Sequence, residues 1–376
     1  MAKAKKYIIA VDIILTSPLH ITAIEKGAYD PASQRLVRYD GNGIGCSLTR
    51  TQSLAHQARV LDNGTAYTPL VPVIPASTVA GKLRRAAADL ITSSFVQREL
   101  KISPDAYNVL TSGMATTELK ADEKTPEVLR MARKEPFLSL FGGTSFAMAA
   151  HSVIADGWPV LGCTQAQLMS EPIGDVQPFT DLREMTEVLP IIRKNDVAAM
   201  EGKNIEAVVG FQRLVDYASA ESDKRAESKT KKSANEDAKK TDLRTLNGVE
   251  TVKTGVTFAL RVEVTSFEPS HLGLMLLALQ SFLRAGQVGG KGARGFGRFL
   301  ATGSRVYEVD PDTRKQTALA SVFEGKETGY AFCDNAVLDQ AVTAAQDYLD
   351  AIAPDVVEAF AKADAKGLKL LYKGAQ

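Results

Sequence analysis

The stretch "VTFALRVEVTSFEPSHLGLMLLALQSFLRAGQVGGKGARGFGRF", Val256–Phe299, decides the fold. Phe258, Leu260, Val262 and Val264 recur at every second position, the period of a strand with one face in a core. They belong to a longer extended run, Val249–Phe267, whose first part reads as a hairpin arm. Glu268-Pro269-Ser270 ends the alternation. Ser270 suits a helix cap, and the body that follows is apolar nearly all round, as in a helix buried on every side. Gly286 stops it. A run of glycines interleaved with Lys291, Arg294 and Arg298 leads into a further strand, from about Gly297 to Tyr307.

Working outward, the same strand–helix–strand order occurs a second time. Tyr7–Ser17, YIIAVDIILTS, is β-branched and reads as a buried first strand. From Pro18 to Pro75 the chain is rich in Gly, Asn, Asp and Pro, the composition of hairpins and loops, with a turn at Asp40-Gly41-Asn42-Gly43. Ile74–Ile91, IPASTVAGKLRRAAADLI, is a helix with Ser77 or Thr78 as its cap; Val79, Leu83, Ala86, Ala87 and Leu90 form its packing face. Lys82, Arg84 and Arg85 spread over the other faces. Cations there oppose the helix dipole, a placement explained by a nearby anion. Residues 95–150 read as helix and loop, Ser152–Gly162 as a second strand or hairpin, and Leu338–Phe360 as helical. Residues 219–244 carry charges of both signs with no apolar period and read as a mobile, solvated insertion whose Lys229, Lys231 and Lys232 could touch a polyanion. The skeleton is βαββαβ, an α+β ferredoxin-like unit with long insertions; the RRM shares it and binds RNA on its open sheet face.

Composition sets outer limits. A hydrophobic share of 45% in 376 residues supports a large core. Lys and Arg number 45 against 44 Asp and Glu, so any binding of polyanions needs a local basic face. Cys46, Cys163 and Cys333 are far apart and form no CxxC pair, which fits reduced thiols and a cytoplasmic protein. The first residues, MAKAKKYIIAVDIIL, read as a strand, since Asp12 interrupts the apolar run and no small-residue cleavage site follows. No apolar run is long enough to span a bilayer. The four histidines are scattered, and His151 and His271 have no Cys or carboxylate partners at metal-ligand spacing, so no metal or other cofactor is expected. His271 reads as a local structural residue. Trp158 and Tyr29 fit core or hairpin packing at least as well as base stacking.

The glycine stretch is not an ATP site. A P-loop needs a strand before it, a helix after it and Ser or Thr after the lysine; here Gly292 follows Lys291 and the order of elements is reversed. The Rossmann glycine pattern fails for the same topological reason. One or two glycines satisfy a helix-to-strand turn. This many, with Lys291, Arg294 and Arg298 among them, point to an anion approached closely by backbone N–H groups.

Four motifs in order, "SPLHITA", "IPASTVAGKLRRAA", "LSLFGG" and "GGKGARGFGRF", resemble the RAMP superfamily of CRISPR-associated proteins over residues 7 to 305. The chain is most similar to the backbone subunit of type IV effector complexes. Ala76 and Ala80 depart from the family's usual glycine and Leu or Ile. The resemblance implies an RRM-like palm (residues 1–94, 151–165 and 251–308), helical fingers (95–150), a loop-and-hairpin thumb (166–250, with 219–244 at its tip) and a helical extension (309–376). It implies copies stacked as a filament on a guide RNA, presenting its bases to target DNA or RNA. Other RAMP subunits capping the guide, a larger effector subunit and a DinG-type helicase are the further partners. By motif, His20, Ser77, Thr78, Lys82, Arg84, Arg85, Gly290, Lys291, Gly292, Ala293, Arg294 and Arg298 line the RNA path. Arg183, Arg193 and Lys194 are thumb contacts suggested by charge and place in the chain alone.

Some relatives cut target RNA with a metal-bound aspartate in the loop after the first strand. Asp30 and Asp40 fall in that region, but Asp30-Pro31 and Asp40-Gly41 are ordinary turn contexts, and the type IV resemblance implies a backbone that does not cleave. Cleavage through Asp30 is the alternative, and a self-assembling structural protein without RNA is a second one.

Overall fold

The computed structural model describes residues 4–30, 35–38, 46–51, 53–55, 59–60, 66–67, 70–114, 126–143, 148–162, 164, 167–174, 185–195, 243–364 and 366. In chain order they form β1 (Lys5–Leu15), β2 (Thr22–Asp30), β3 (Arg35–Arg38), β4 (Cys46–Thr51), β5 (Ser53–Ala55), β6 (Arg59–Val60), β7 (Ala66–Tyr67) and β8 (Leu70–Pro72). Next come α1 (Ala76–Gln97), α2 (Pro104–Ser112), α3 (Pro126–Lys134), α4 (Pro136–Phe141), β9 (Ser152–Ile154) and β10 (Trp158–Pro159). The chain continues through β11 (Thr186–Asn195), β12 (Leu243–Val252), β13 (Thr257–Ser266), α5 (Pro269–Ala285), β14 (Phe299–Val309), β15 (Gln316–Ala320), α6 (Ala336–Ala351) and α7 (Pro354–Ala361). The protein is α+β.

The chain divides into two compact units, one of Met1–Ile21, Gln52–Thr186 and Val252–Gln376, the other of Thr22–Thr51 and Glu187–Thr251. The first is built on an antiparallel sheet of order β10-β13-β1-β14-β15, with β9 also on β13. β1 is central because its sequence is apolar at almost every position, so both of its faces are buried. Tyr7, Ile9, Val11, Ile13 and Leu15 face the helices and join a core with Val79, Leu83 and Ala87 of α1 and Leu272, Leu276 and Phe282 of α5. Each such side chain contributes about 1.5–3 kcal/mol on burial. α5 touches β13, α1, α4 and α6, which is why it is apolar all round.

The opposite face of β1 carries Ile8 and Ala10, buried with Tyr307 and Val309 against Ile173. Asp12 lies on that face as well. It pairs with Arg261 at 2.7 Å, both 1% exposed, and accepts from the Ile173 N–H at 2.8 Å. Arg261 also donates to the Ser170 hydroxyl (2.6 Å) and the Glu171 carbonyl (3.2 Å). Residues 170–173 are thereby fastened over the sheet face opposite the helices.

The second unit is a sheet of order β11-β12-β4-β2-β3. β2 pairs antiparallel with β3 and β4, while β4 and β12 run parallel. The Thr51 N–H donates to the Glu250 carboxylate at 2.9 Å, closing the β4–β12 end. Strands from the Gly- and Asn-rich region and from the mid-chain insertion therefore share one sheet. β12 turns into β13 through Gly255 but does not pair with it, so the extended run 249–267 is two strands of different sheets, not one strand with a hairpin arm. The charged segment 219–244 lies outside the described residues.

Two helix caps differ from the sequence reading. α1 begins one residue before Ser77, with Pro75 as N-cap and no side-chain capping bond. The Ala76 N–H donates instead to the Asp156 carboxylate at 2.7 Å. α5 is capped by Glu268 with Pro269 in its first turn, and Ser270 is buried. In the first case a carboxylate from the β9–β10 connection, 80 residues away, replaces the local cap.

Candidate nucleic-acid interface

Strand directions bring two motifs to one end of the helix layer. β1 runs toward Leu15, and α5 carries the chain from the far end of β13 back to Phe299, opposite Leu15. The chain enters α1 just after Ile74, which is bridged to Gly157, and α1 leads away from that end toward β9, where Ser152 lies opposite Val264. α1 and α5 pack on each other, so they are antiparallel, and the start of α1 and the end of α5 share an edge.

The glycine loop is zipped to the segment after β1. The Gly290 N–H donates to the His20 carbonyl, Gly297 N–H to the Pro18 carbonyl and Arg298 N–H to the Ser17 hydroxyl, each at 2.8 Å. The Arg298 carbonyl accepts from Thr16 N–H at 2.8 Å. The "SPLHI" and "GGKGARGFGRF" motifs are thus two sides of one structure, joined through backbone groups. Two glycines are needed for this. A Cβ on Gly297 (φ 73°) would lie 1.8 Å from the Val288 carbonyl oxygen, and one on Gly289 (φ 83°) 2.8 Å from that of His20.

Most of the loop's N–H groups are committed to holding it together. Those of Lys291, Gly292 and Ala293 have no partner among the described residues. They lead the one-turn helix Gly292–Arg294 at the tip of the loop. Lys291, itself at φ 58°, and the exposed Arg294 and Arg298 place three cations around them. Among the described residues none of these side chains is ion-paired. The same holds for Lys82 and the exposed Arg85, which lie with Thr78 on one helical face at i, i+4, i+7.

Arg84 is different. Its Nε donates to the Leu110 carbonyl (2.9 Å), Nη1 to Phe141 (3.0 Å), and Nη2 to Val109 and Gly142 (3.0 Å each). The guanidinium also lies over the Phe137 ring, 5.4 Å from its centre. Burial lowers its pKa to about 10, which leaves it charged at neutral pH. Arg84 caps the C-terminal ends of α2 and α4 together with four of its five N–H donors, a structural role that the sequence reading did not give it. The His20 side chain is wholly buried, and its carbonyl is what reaches the loop. The anion expected beside the start of α1 is supplied at its first N–H by Asp156, so Lys82 and Arg85 need another explanation.

Arg193 and Lys194 lie in β11, while Arg183 is outside the described residues. Asp30 ends β2 opposite Arg35; Asp40 is outside the described residues. His271 is buried, its ring nitrogens 3.2 Å from the Glu268 carbonyl and 3.3 Å from that of Arg133, and burial lowers its pKa. Trp158 belongs to β10 and pairs in register with Ala259. Among the described residues no helix is long and apolar enough to cross a membrane, and no three of His, Cys, Asp and Glu gather as metal ligands.

The fold and the loop define an α+β protein with a cationic, glycine-built edge. A family model described as the RAMP superfamily matches residues 13–299, and the chain belongs to that family. No curated protein matches it. Among solved structures it is similar to a chain described as "Type IV-B CRISPR Complex", 14% identical, covering 79% of this chain and 89% of that one, with a TM-score of 0.39.

Proposed function

We propose that this RAMP protein is a non-catalytic backbone subunit of a CRISPR effector ribonucleoprotein, of the type IV kind, that polymerises along guide RNA. It presents the guide's bases for pairing with a target, whose sequence is read by the RNA rather than by the protein. The observation that carries this reading is the cationic edge: Lys82, Arg85, Lys291, Arg294 and Arg298 have no acidic partner among the described residues, and three free backbone N–H groups lie beside Lys291. Cations and N–H groups in one place suit phosphates along a strand. Ser77, Thr78, Gly290, Gly292 and Ala293 shape that edge. His20 positions the loop through its carbonyl.

The strand order β10-β13-β1-β14, with α1 and α5 on one face, supports a ferredoxin-like, RRM-like palm. Helices α2–α4 correspond to fingers. The second unit, which includes Arg193 and Lys194, corresponds to the thumb that reaches the RNA of a neighbouring copy. Capping RAMP subunits, a larger effector subunit and a DinG-type helicase complete the assembly, in the cytoplasm.

The test uses the purified, nuclease-treated full chain and a labelled single-stranded RNA, with affinity measured against salt. Each phosphate contact contributes about 0.7 to the slope of log K on log salt for a single strand. Lys291→Ala with Arg294→Ala should weaken binding at least tenfold and flatten that slope, with circular dichroism unchanged. Equal binding by the folded variant sinks the reading. Filaments that form without RNA and survive nuclease would favour the structural alternative.

A further inference from the structure

The family match ends at Phe299, but the cationic surface continues past it. Beside the glycine loop a cleft of about 390 Å³ opens between the end of α5, the first residues of β14 and the turn at 326–330. Among the described residues three cations line it, Arg284, Arg298 and Lys326, and no carboxylate does. Leu283, Phe299 and Leu300 also border it, the first two with side chains buried in the core.

The cleft is built in advance. The Arg284 Nε donates to the Gly329 carbonyl at 2.8 Å, which joins α5 to the turn and leaves the rest of the guanidinium open. Tyr330 holds the turn from the other side: its carbonyl accepts from the Gln280 amide at 2.8 Å and its hydroxyl from the Ala301 N–H at 3.2 Å. The backbone of Arg298 is fixed on both sides by Ser17 and Thr16, while its side chain is exposed. The Lys326 side chain is exposed and makes no bond among the described residues, while its carbonyl accepts from the Gly329 N–H at 2.9 Å. Arg284, held in place by its bond to Gly329, gives up little freedom on binding an anion.

We propose that this cleft is a second phosphate station, which takes the phosphodiester of a nucleotide adjacent to the one held at the loop tip. The inference rests on the RNA-binding reading above and extends it to residues outside the family match. Arg298 belongs to both places: its backbone closes the loop and its side chain lines the cleft. A ligand that repeats its charge along a chain can occupy both together. Three cations without an acid among the described residues match a phosphodiester.

The experiment uses the full chain and the same labelled RNA. Lys326→Ala removes an exposed side chain with no contacts, so folding is not at issue; Arg284→Ala with Lys326→Ala removes two of the three charges. The double variant should bind more weakly by roughly tenfold at low salt, and its slope should fall by about 0.7, the contribution of one phosphate. As a direct readout, RNA should protect Lys326 of the unaltered chain from amine acetylation. Three outcomes would overturn the proposal. If Lys326 stays reactive and the cleft variants bind normally while the Lys291→Ala, Arg294→Ala variant fails, the cleft falls and the RNA-binding reading stands. If the unaltered chain binds no RNA, both fall. If polyglutamate protects Lys326 and RNA does not, the cleft receives an acidic protein segment instead.

Discussion

Arg84 and Arg85 are neighbours in sequence, and the structure gives them opposite work. Replacing Arg84 by alanine takes a donor from four carbonyl oxygens, those of Val109, Leu110, Phe141 and Gly142, of which Val109 keeps the Gly113 N–H. Hydrogen bonds from a charged group contribute about 1.5–3 kcal/mol each when deleted singly. They do not add within one network, and carbonyls at helix ends partly regain water, so the expected loss is about 3–4 kcal/mol. Arg85→Ala removes an exposed side chain with no partner among the described residues and should stay within about 0.5 kcal/mol of the parent. Urea unfolding of both variants, followed by RNA affinity under native conditions, separates the two roles. Arg84→Ala should lower the unfolding midpoint while the surviving folded fraction binds RNA normally; Arg85→Ala should unfold like the parent and bind RNA more weakly. An Arg84→Ala protein with unchanged midpoint and lost RNA binding would refute the assignment, because it would mean the guanidinium is free for phosphate after all.

Two further outcomes follow from single contacts. Glu135 caps α4 by accepting from Leu138 N–H, and the Tyr348 hydroxyl also donates to it; burial, opposed by those bonds, pushes its pKa up to about 6 from 4.5. The folded chain therefore holds a proton that the unfolded chain has lost between those values, so this group's contribution to stability falls as pH rises from 4.5 to 6, by about 2 kcal/mol. Glu135→Gln should flatten the stability profile in that window, and an unaltered slope would exclude Glu135 as its source. Gly297→Ala should cost at least about 1–3 kcal/mol and abolish RNA binding, since its Cβ would meet the Val288 carbonyl at 1.8 Å and its φ of 73° is strained for alanine. Crystals of a stable Gly297→Ala protein with the loop in place would contradict that geometry.

Much of the first unit was legible because its elements carry strong local signals. β1 is rich in β-branched residues, α1 has a clear apolar face, and Gly286 stops α5 in the left-handed conformation. What escaped the sequence depends on contacts across long separations. The Asp156 cap on α1, the four carbonyls taken by Arg84 and the zip between residues 16–20 and the loop have no local pattern. β15, with exposed and half-buried residues, lacks the apolar alternation that marked β13. Charge alone placed Arg84 and Arg85 in one class. Only the buried carbonyls that surround the first of them tell the two apart.

The pairing of β1 also sets a schedule for synthesis. It is made long before its partners: its register couples Ile14 to Thr257 and Leu15 to Phe299, about 240 and 280 residues later. At typical elongation rates of ~5–20 residues per second, the apolar run Tyr7–Leu15 waits roughly 12–50 s for its first partner strand. During that time it is an unpaired strand with two open edges, the form most exposed to association with other chains. Yield of folded protein should therefore depend on how the nascent chain is shielded on the ribosome, more than on the stability of the finished core.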